Sequence, residues 1–143
     1  MMLLRRIAGW ATRSPLPVHL RYGVLGEKAA KQHLRKAGLK FLVANYRSPR
    51  GEVDLVFRDG DCLVFVEVKT RSSEDWTRPS SAVDYDKKRL LSQAALDYLR
   101  LLKNPQIRFR FDIVEVLLSE GNVREVRHLP NAFNLVKPLS YGA

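Results

Sequence analysis

Residues 51–71, GEVDLVFRDGDCLVFVEVKTR, hold two apolar runs on either side of Asp59-Gly60. Runs rich in Val, Leu and Phe about such a dipeptide predict a β-hairpin, because Asp-Gly tolerates the positive φ angles of a tight type I′ turn. With Asp59 and Gly60 as the loop, Arg58 faces Asp61, Asp54 faces Phe65 and Glu52 faces Glu67. Side chains repeat with period two along a strand, so Asp54, Glu67 and Lys69 emerge on one face with Val56, Leu63 and Phe65. Val53, Leu55, Phe57, Val64, Val66 and Val68 line the other. Asp54 and Glu67 become diagonal neighbours, their Cβ atoms somewhat less than ~7–8 Å apart, and one ion then touches both carboxylates. A solvated Glu/Lys pair on adjacent rungs is the bland account of this face. The apolar neighbours speak against it, because two acids and a lysine on a partly covered face are costly unless something pairs them. A divalent cation does so.

The rest of the chain sets limits on the function. A length of 143 residues with 45% hydrophobic content gives one domain with a real core. The single cysteine, Cys62, has no partner for an internal disulfide, which favours a reducing, cytoplasmic setting. His19, His33 and His128 lack metal-ligand spacing, which argues against a zinc site. The start, MMLLRRIAGWATRSPLP, holds no apolar run long enough for a signal peptide or membrane span, and residues 1–17 read as a basic arm ahead of a single domain, 18–143. Its alternative is an amphipathic surface anchor on Leu3, Leu4, Ile7 and Trp10. Net charge is +10, and up to Arg50 there are 11 Lys or Arg residues against one acid, Glu27. Such a surface attracts a phosphate backbone without regard to sequence, although solubility or anionic lipid would also account for it.

In chain order, Tyr22 to Gly38 predicts a helix closed by Gly38, with Glu27, Ala30, Leu34 and Ala37 on one side. A glutamate near a helix start ordinarily serves the macrodipole. Here it sits on the small-residue face of an otherwise acid-free region. Leu39 to Arg47 predicts a first strand leading into the hairpin. The loop RSSEDWTRPSSA then leaves the second hairpin strand just after Lys69 and Thr70. In it, Trp76 is placed to stack on a base or to pin the loop to the core, and Arg71 and Arg78 to hold phosphates. Asp84 caps a second helix to about Lys103, with Leu91, Ala94, Ala95, Tyr98 and Leu102 as its buried stripe. Asp86, Arg89, Gln93, Asp97 and Arg100 form its polar face. Lys87 and Lys88 stand in its first turn, where a cation opposes the dipole and hints at an anion nearby. Ile107 to Leu118 predicts a further strand, Val123 to Leu129 a short edge strand, and the tail little beyond a turn at Pro130 to Phe133.

An early helical Glu, an Asp on one strand and Glu-x-Lys on the next, followed by a helix, is the order of the PD-(D/E)XK nuclease superfamily; here these are Glu27, Asp54 and Glu67-Val68-Lys69. Within it, GEKAAKQHL, GEVDLV, VFVEVKTR and RFDIV closely resemble the YraN-like family of small bacterial proteins, from about Gly23 to Phe133. Val53 stands where that superfamily often has a proline that carries no catalytic group. The resemblance implies an α/β, restriction-endonuclease-like core: a mixed central β-sheet flanked by helices, in the order α-β-β-β-α-β-β. It implies Mg²⁺ or Mn²⁺ held by Asp54, Glu67 and the Val68 carbonyl, with Glu27 supporting the site. Hard oxygen ligands of this kind hold a cation against a scissile phosphate and acidify a bound water. Lys69 would orient or deprotonate that water, or neutralise the developing charge. Lys87, Gln93 and Asp112 are weaker candidates. The expected function is a metal-dependent endonuclease acting on DNA, branched or structured DNA included, working as a homodimer by analogy with junction-cutting relatives. The alternatives are a non-enzymatic nucleic-acid-binding module with the same fold, and a basic docking or membrane-surface protein whose binding depends on the arm.

Overall fold

The computed structural model describes residues 16–72, 84–103 and 106–137. The chain runs α1 (Val18–Lys36), β1 (Lys40–Ser48), β2 (Gly51–Asp59), β3 (Cys62–Ser72), α2 (Tyr85–Leu102), β4 (Arg108–Ser119) and β5 (Asn122–Phe133). This is the expected α/β order. The strands form one sheet in the order β1-β2-β3-β4-β5. Only β3 and β4 pair in parallel, and α2 is the crossover between them, so the sheet is mixed.

Helix α1 starts four residues before the predicted Tyr22, because its first turn is exposed and carries no buried stripe to reveal it. Its end follows the predicted glycine stop. Gly38 takes φ +96°, the Gly38 N–H donates to the Arg35 carbonyl and the Leu39 N–H to that of Leu34, which is a Schellman cap. On α2 the Asp84 side chain accepts from the Lys87 N–H at 2.9 Å, as a helix cap should. The α2 stripe ends one turn early: Leu99 is buried, while Leu102 is exposed beside the left-handed Lys103.

Each helix covers one face of the sheet. Ala30 and Leu34 of α1 pack with Leu55, Phe57, Val64, Val66, Val114 and Val116. Leu91, Ala94, Ala95 and Leu99 of α2 pack with Val56, Leu63, Phe65, Phe111 and Ile113 on the other. Both sheet faces are therefore dry at the centre, as near-continuous apolar strands require.

The hairpin register differs from the expected one. Asp59 pairs with Cys62 and Arg58 with Leu63, so the loop is Gly60-Asp61 rather than Asp59-Gly60. Gly60 has φ +60° and Asp61 is not among the positive-φ residues, which is the pattern of a II′ rather than a I′ turn. One step of register has a large consequence. The ladder ends at Leu55–Val66, and its continuation sets Asp54 opposite Glu67 itself instead of diagonal to it.

A second difference concerns Val53, which packs under α2 with Val56 and not with Leu55 and Phe57. Asn45 on the paired strand has φ +53°, and alternation fails in both strands between Ala44–Leu55 and Tyr46–Val53. The kink lies at Asp54. Finally, β5 runs through Phe133, well past the predicted Leu129, with Phe133 stacked on Phe111 at 4.8 Å. Pro130 is tolerated because β5 is an edge strand.

Candidate functional site

The site begins where β2 and β3 part. Beyond Leu55–Val66 the two strands no longer pair, while β3 keeps pairing with β4 as far as Ser72. Val68 is left with an unclaimed edge, and Asp54 Oδ2 accepts its N–H at 2.9 Å. The N–H and C=O of a strand residue project from the same edge. The Val68 carbonyl therefore faces the same fork.

Glu67 is 4% exposed. Lys87 Nζ lies 3.5 Å from its Oε1, and its Oε2 has no hydrogen-bond partner among the described residues. Burial, and next the negative charge of Asp54, push the Glu67 carboxyl up to about 8, and Lys87 and Lys69 pull the other way without prevailing. A buried carboxyl this close to a second carboxylate does not ionise cheaply, so Glu67 calls for a proton or a cation. Glu27 arrives from α1 with its carboxyl also raised, first by burial and then by Asp54, while a hydrogen bond with Asn45 opposes. Lys69 is half-buried one rung beyond Glu67.

Two glycines let the helices come close enough to close this fork. A Cβ on Gly26 would overlap Thr70 Oγ1, so α1 lies on β3 just past Lys69 and presents the next residue, Glu27, to the site. A Cβ on Gly51 would overlap the Leu90 carbonyl, so the start of β2 presses on α2 three residues past Lys87.

Asp54, Glu67, Lys69, Lys87 and Glu27 are thus neighbours, brought together from two strands and two helices. The other candidates are elsewhere. Asp112 is fully buried and faces α1: it pairs in register with Val66 and accepts from Arg110, His128 and the Asn131 N–H at 2.7–3.3 Å. It ties β4 to β5 and is not part of the site. Gln93 is half-buried on α2 and gives no hydrogen bond to the carboxylates. Arg71 continues along β3, where its charge acts on Glu115. Trp76 and Arg78 lie outside the described residues.

Two further residues belong to this neighbourhood. Asn45 turns the chain and holds Glu27; an Asn inside an apolar strand run is its sequence signal. Glu115 on β4 pairs in register with Lys69, is 3% exposed and has Oε1 without a partner among the described residues. Burial raises its carboxyl, against the pull of Arg127 and Arg71. Its signal in the sequence is an acid set between valines in the apolar run IVEVLL, residues 113–118.

Among the described residues no three His, Cys, Asp or Glu side chains form a ready metal cage. The donors on offer are two touching carboxylates, one with an unpartnered buried oxygen, and a strand carbonyl. That set fits a hard cation of the Mg²⁺ kind, which takes one or two carboxylates and completes its shell with water and substrate oxygens.

The model of the uncharacterised protein family UPF0102 matches residues 26–116. A UPF0102 protein of Rhodococcus opacus is 38% identical over 115 residues, covering 80% of this chain and 98% of the relative. One of Trichlorobacter lovleyi is 41% identical over 114 residues, 79% of this chain and 90% of the relative. One of Syntrophus aciditrophicus is 41% identical over 117 residues, 82% and 91%.

Proposed function

The chain belongs to the uncharacterised protein family UPF0102, the YraN-like family its motifs resemble, and for this member we propose a metal-dependent nuclease that hydrolyses phosphodiester bonds in branched or structured DNA. What carries the proposal is the Asp54–Glu67 carboxyl pair at the fork of β2 and β3, buried and short of a partner at Glu67 Oε2, half-buried at Asp54, and followed one rung on by Lys69. Folding alone gains nothing from such a pair.

Asp54, Glu67 and the Val68 carbonyl would hold Mg²⁺ or Mn²⁺. When bound, such an ion supplies Lewis-acid polarisation of a phosphoryl oxygen and an acidified water. Lys69, whose charge acts on Glu67, orients or deprotonates the attacking water or answers the charge growing on the phosphate. Lys87 balances Glu67, and Glu27 supports Asp54 from the α1 side. The lone Cys62 fits a cytoplasmic protein, and a homodimer would set two such sites on one branched substrate.

The test is Mn²⁺ or Mg²⁺ titrated against linear, flapped and four-way DNA. Wild type nicks at least one of these, Asp54→Ala abolishes cutting, and Lys69→Ala lowers it by roughly 10²–10⁴-fold. Cutting that persists in both folded variants refutes the assignment. Tight DNA binding with no cutting under any metal would leave the non-enzymatic binding module in its place.

A further inference from the structure

A second feature lies beside the carboxylates. The turn joining β1 to β2 and the first two turns of α2 enclose a cleft of about 470 Å³, lined among others by Arg47, Arg50, Glu52, Lys87 and Leu90. Its position is tied to the site, because the Lys87 that lines it is the Lys87 that pairs with Glu67 at 3.5 Å. Its walls are also held in place. The Gly51 backbone presses on the Leu90 carbonyl, and the Arg50 Nε and Nη2 grip Asp97 of α2 at 2.7–3.3 Å.

That grip leaves Arg50 Nη1 without a partner among the described residues, on a guanidinium that no longer pays to be ordered. Arg47 is largely exposed, and its ion pair with Glu52, the one acid in the lining, is long at 3.5 Å and open to solvent. Such a pair is worth little and gives way to a stronger anion. Three cations thus converge on a concave surface with one weakly engaged acid among them.

We propose that this cleft seats a phosphodiester group of a nucleic-acid strand, neighbouring the one that reaches the carboxylate pair. It rests on the nuclease assignment for which phosphate is cut, and not for the binding itself. Arg50 gives its preordered Nη1 to one phosphate, Arg47 closes from the solvent side, and Lys87 links the cleft to Glu67.

The experiment is fluorescence anisotropy of labelled DNA and RNA oligonucleotides with full-length protein in EDTA, over about 50 to 200 mM salt. Arg47→Ala should weaken binding several-fold and flatten the log Kd against log salt slope by about 1. Arg50→Lys, which keeps a cation beside Asp97, should lower affinity while retaining the circular dichroism spectrum. Arg108→Ala, an equal charge loss at the start of β4, should leave the affinity near that of wild type. Unchanged affinity and slope in folded Arg47→Ala and Arg50→Lys overturns the proposal, as does equal loss in Arg108→Ala or failure of wild type to bind either nucleic acid. Weakened binding in the cleft variants of a protein that never cuts under Mn²⁺ would uphold the cleft and defeat the nuclease.

Discussion

The Asp54 carboxylate takes the Val68 backbone N–H at 2.9 Å, so a side chain does there what the next residue of β2 would do in an unbroken ladder. The bond closes the fork and aims the same carboxylate at Glu67. Asn retains an acceptor oxygen and Ala does not. Asp54→Asn should therefore keep the stability of wild type within about 1 kcal/mol, and Asp54→Ala should lose about 1–3 kcal/mol from the orphaned N–H. Both should be inactive. Urea unfolding beside a nicking assay separates the two effects, and active Asp54→Asn would rule out the carboxylate as a ligand.

Glu67 makes stability depend on pH in an unusual direction. Its carboxyl rises from 4.5 to about 8 on folding, so between those values the folded state binds the extra proton. Stability from this group is complete below pH 4.5 and is lost as pH climbs to about 8, by an amount on the order of a few kcal/mol. Glu67→Gln should abolish that decline. Lys87→Met should steepen it, since Lys87 is the largest influence holding the carboxyl down. Mn²⁺ should restore stability most at the alkaline end, where protons no longer compete, by about 2.7 kcal/mol at a hundredfold excess over Kd. Urea midpoints from pH 4 to 9, with and without metal, measure all three.

Much of this was legible in the chain, for identifiable reasons. Alternating and continuous apolar runs gave the strands, Asp84 and Gly38 the helix ends, and the Asp and Glu-x-Lys spacing the heart of the site. The register was missed because Arg58-Asp59-Gly60-Asp61 offers two adjacent dipeptides, Asp-Gly and Gly-Asp, either of which suits a two-residue hairpin loop. Val53 was placed on the wrong face because period-two counting assumes unbroken alternation, and the left-handed Asn45 on the neighbouring strand breaks it. The Lys87–Glu67 pair and the Arg50–Asp97 grip depend on how α2 docks, which no local pattern encodes.

Asp112 shows how an acid in the expected place serves the fold instead. Burial alone would raise its carboxyl, but hydrogen bonds from His128, Arg110 and the Asn131 N–H outweigh burial and hold it below its usual range. A lowered acid gives stability that is present above its ordinary value of 3.8 and lost as pH falls below it, opposite in sign to Glu67. Asp112→Ala should cost about 3–5 kcal/mol, because Arg110 and His128 are left facing a dry hole. Molecules that remain folded should still cut DNA. Activity per folded molecule that drops as far as in Asp54→Ala would return Asp112 to the site.

Gly26 is where packing and chemistry are most closely joined. It is buried within α1, and a methyl group there would overlap Thr70 Oγ1 and sit 3.1 Å from Thr70 Cβ. Helix propensity favours Ala over Gly by about 1 kcal/mol, so an open position would gain from the change. Here overpacking opposes that gain, at about 1–3 kcal/mol, and α1 must lift from β3. Because Glu27 is the next residue, the lift carries its carboxyl away from Asp54. Gly26→Ala should thus lower both melting temperature and nicking rate, while Gly23→Ala, with open space around its would-be Cβ, should lower neither. Removing the colliding hydroxyl supplies the decisive arm. In the Gly26→Ala/Thr70→Ala double variant the Thr70 Oγ1 is gone and only the 3.1 Å approach remains, so stability and cutting should recover together in part. Recovery of stability without any recovery of cutting would mean that the approach of α1 positions no group the reaction uses.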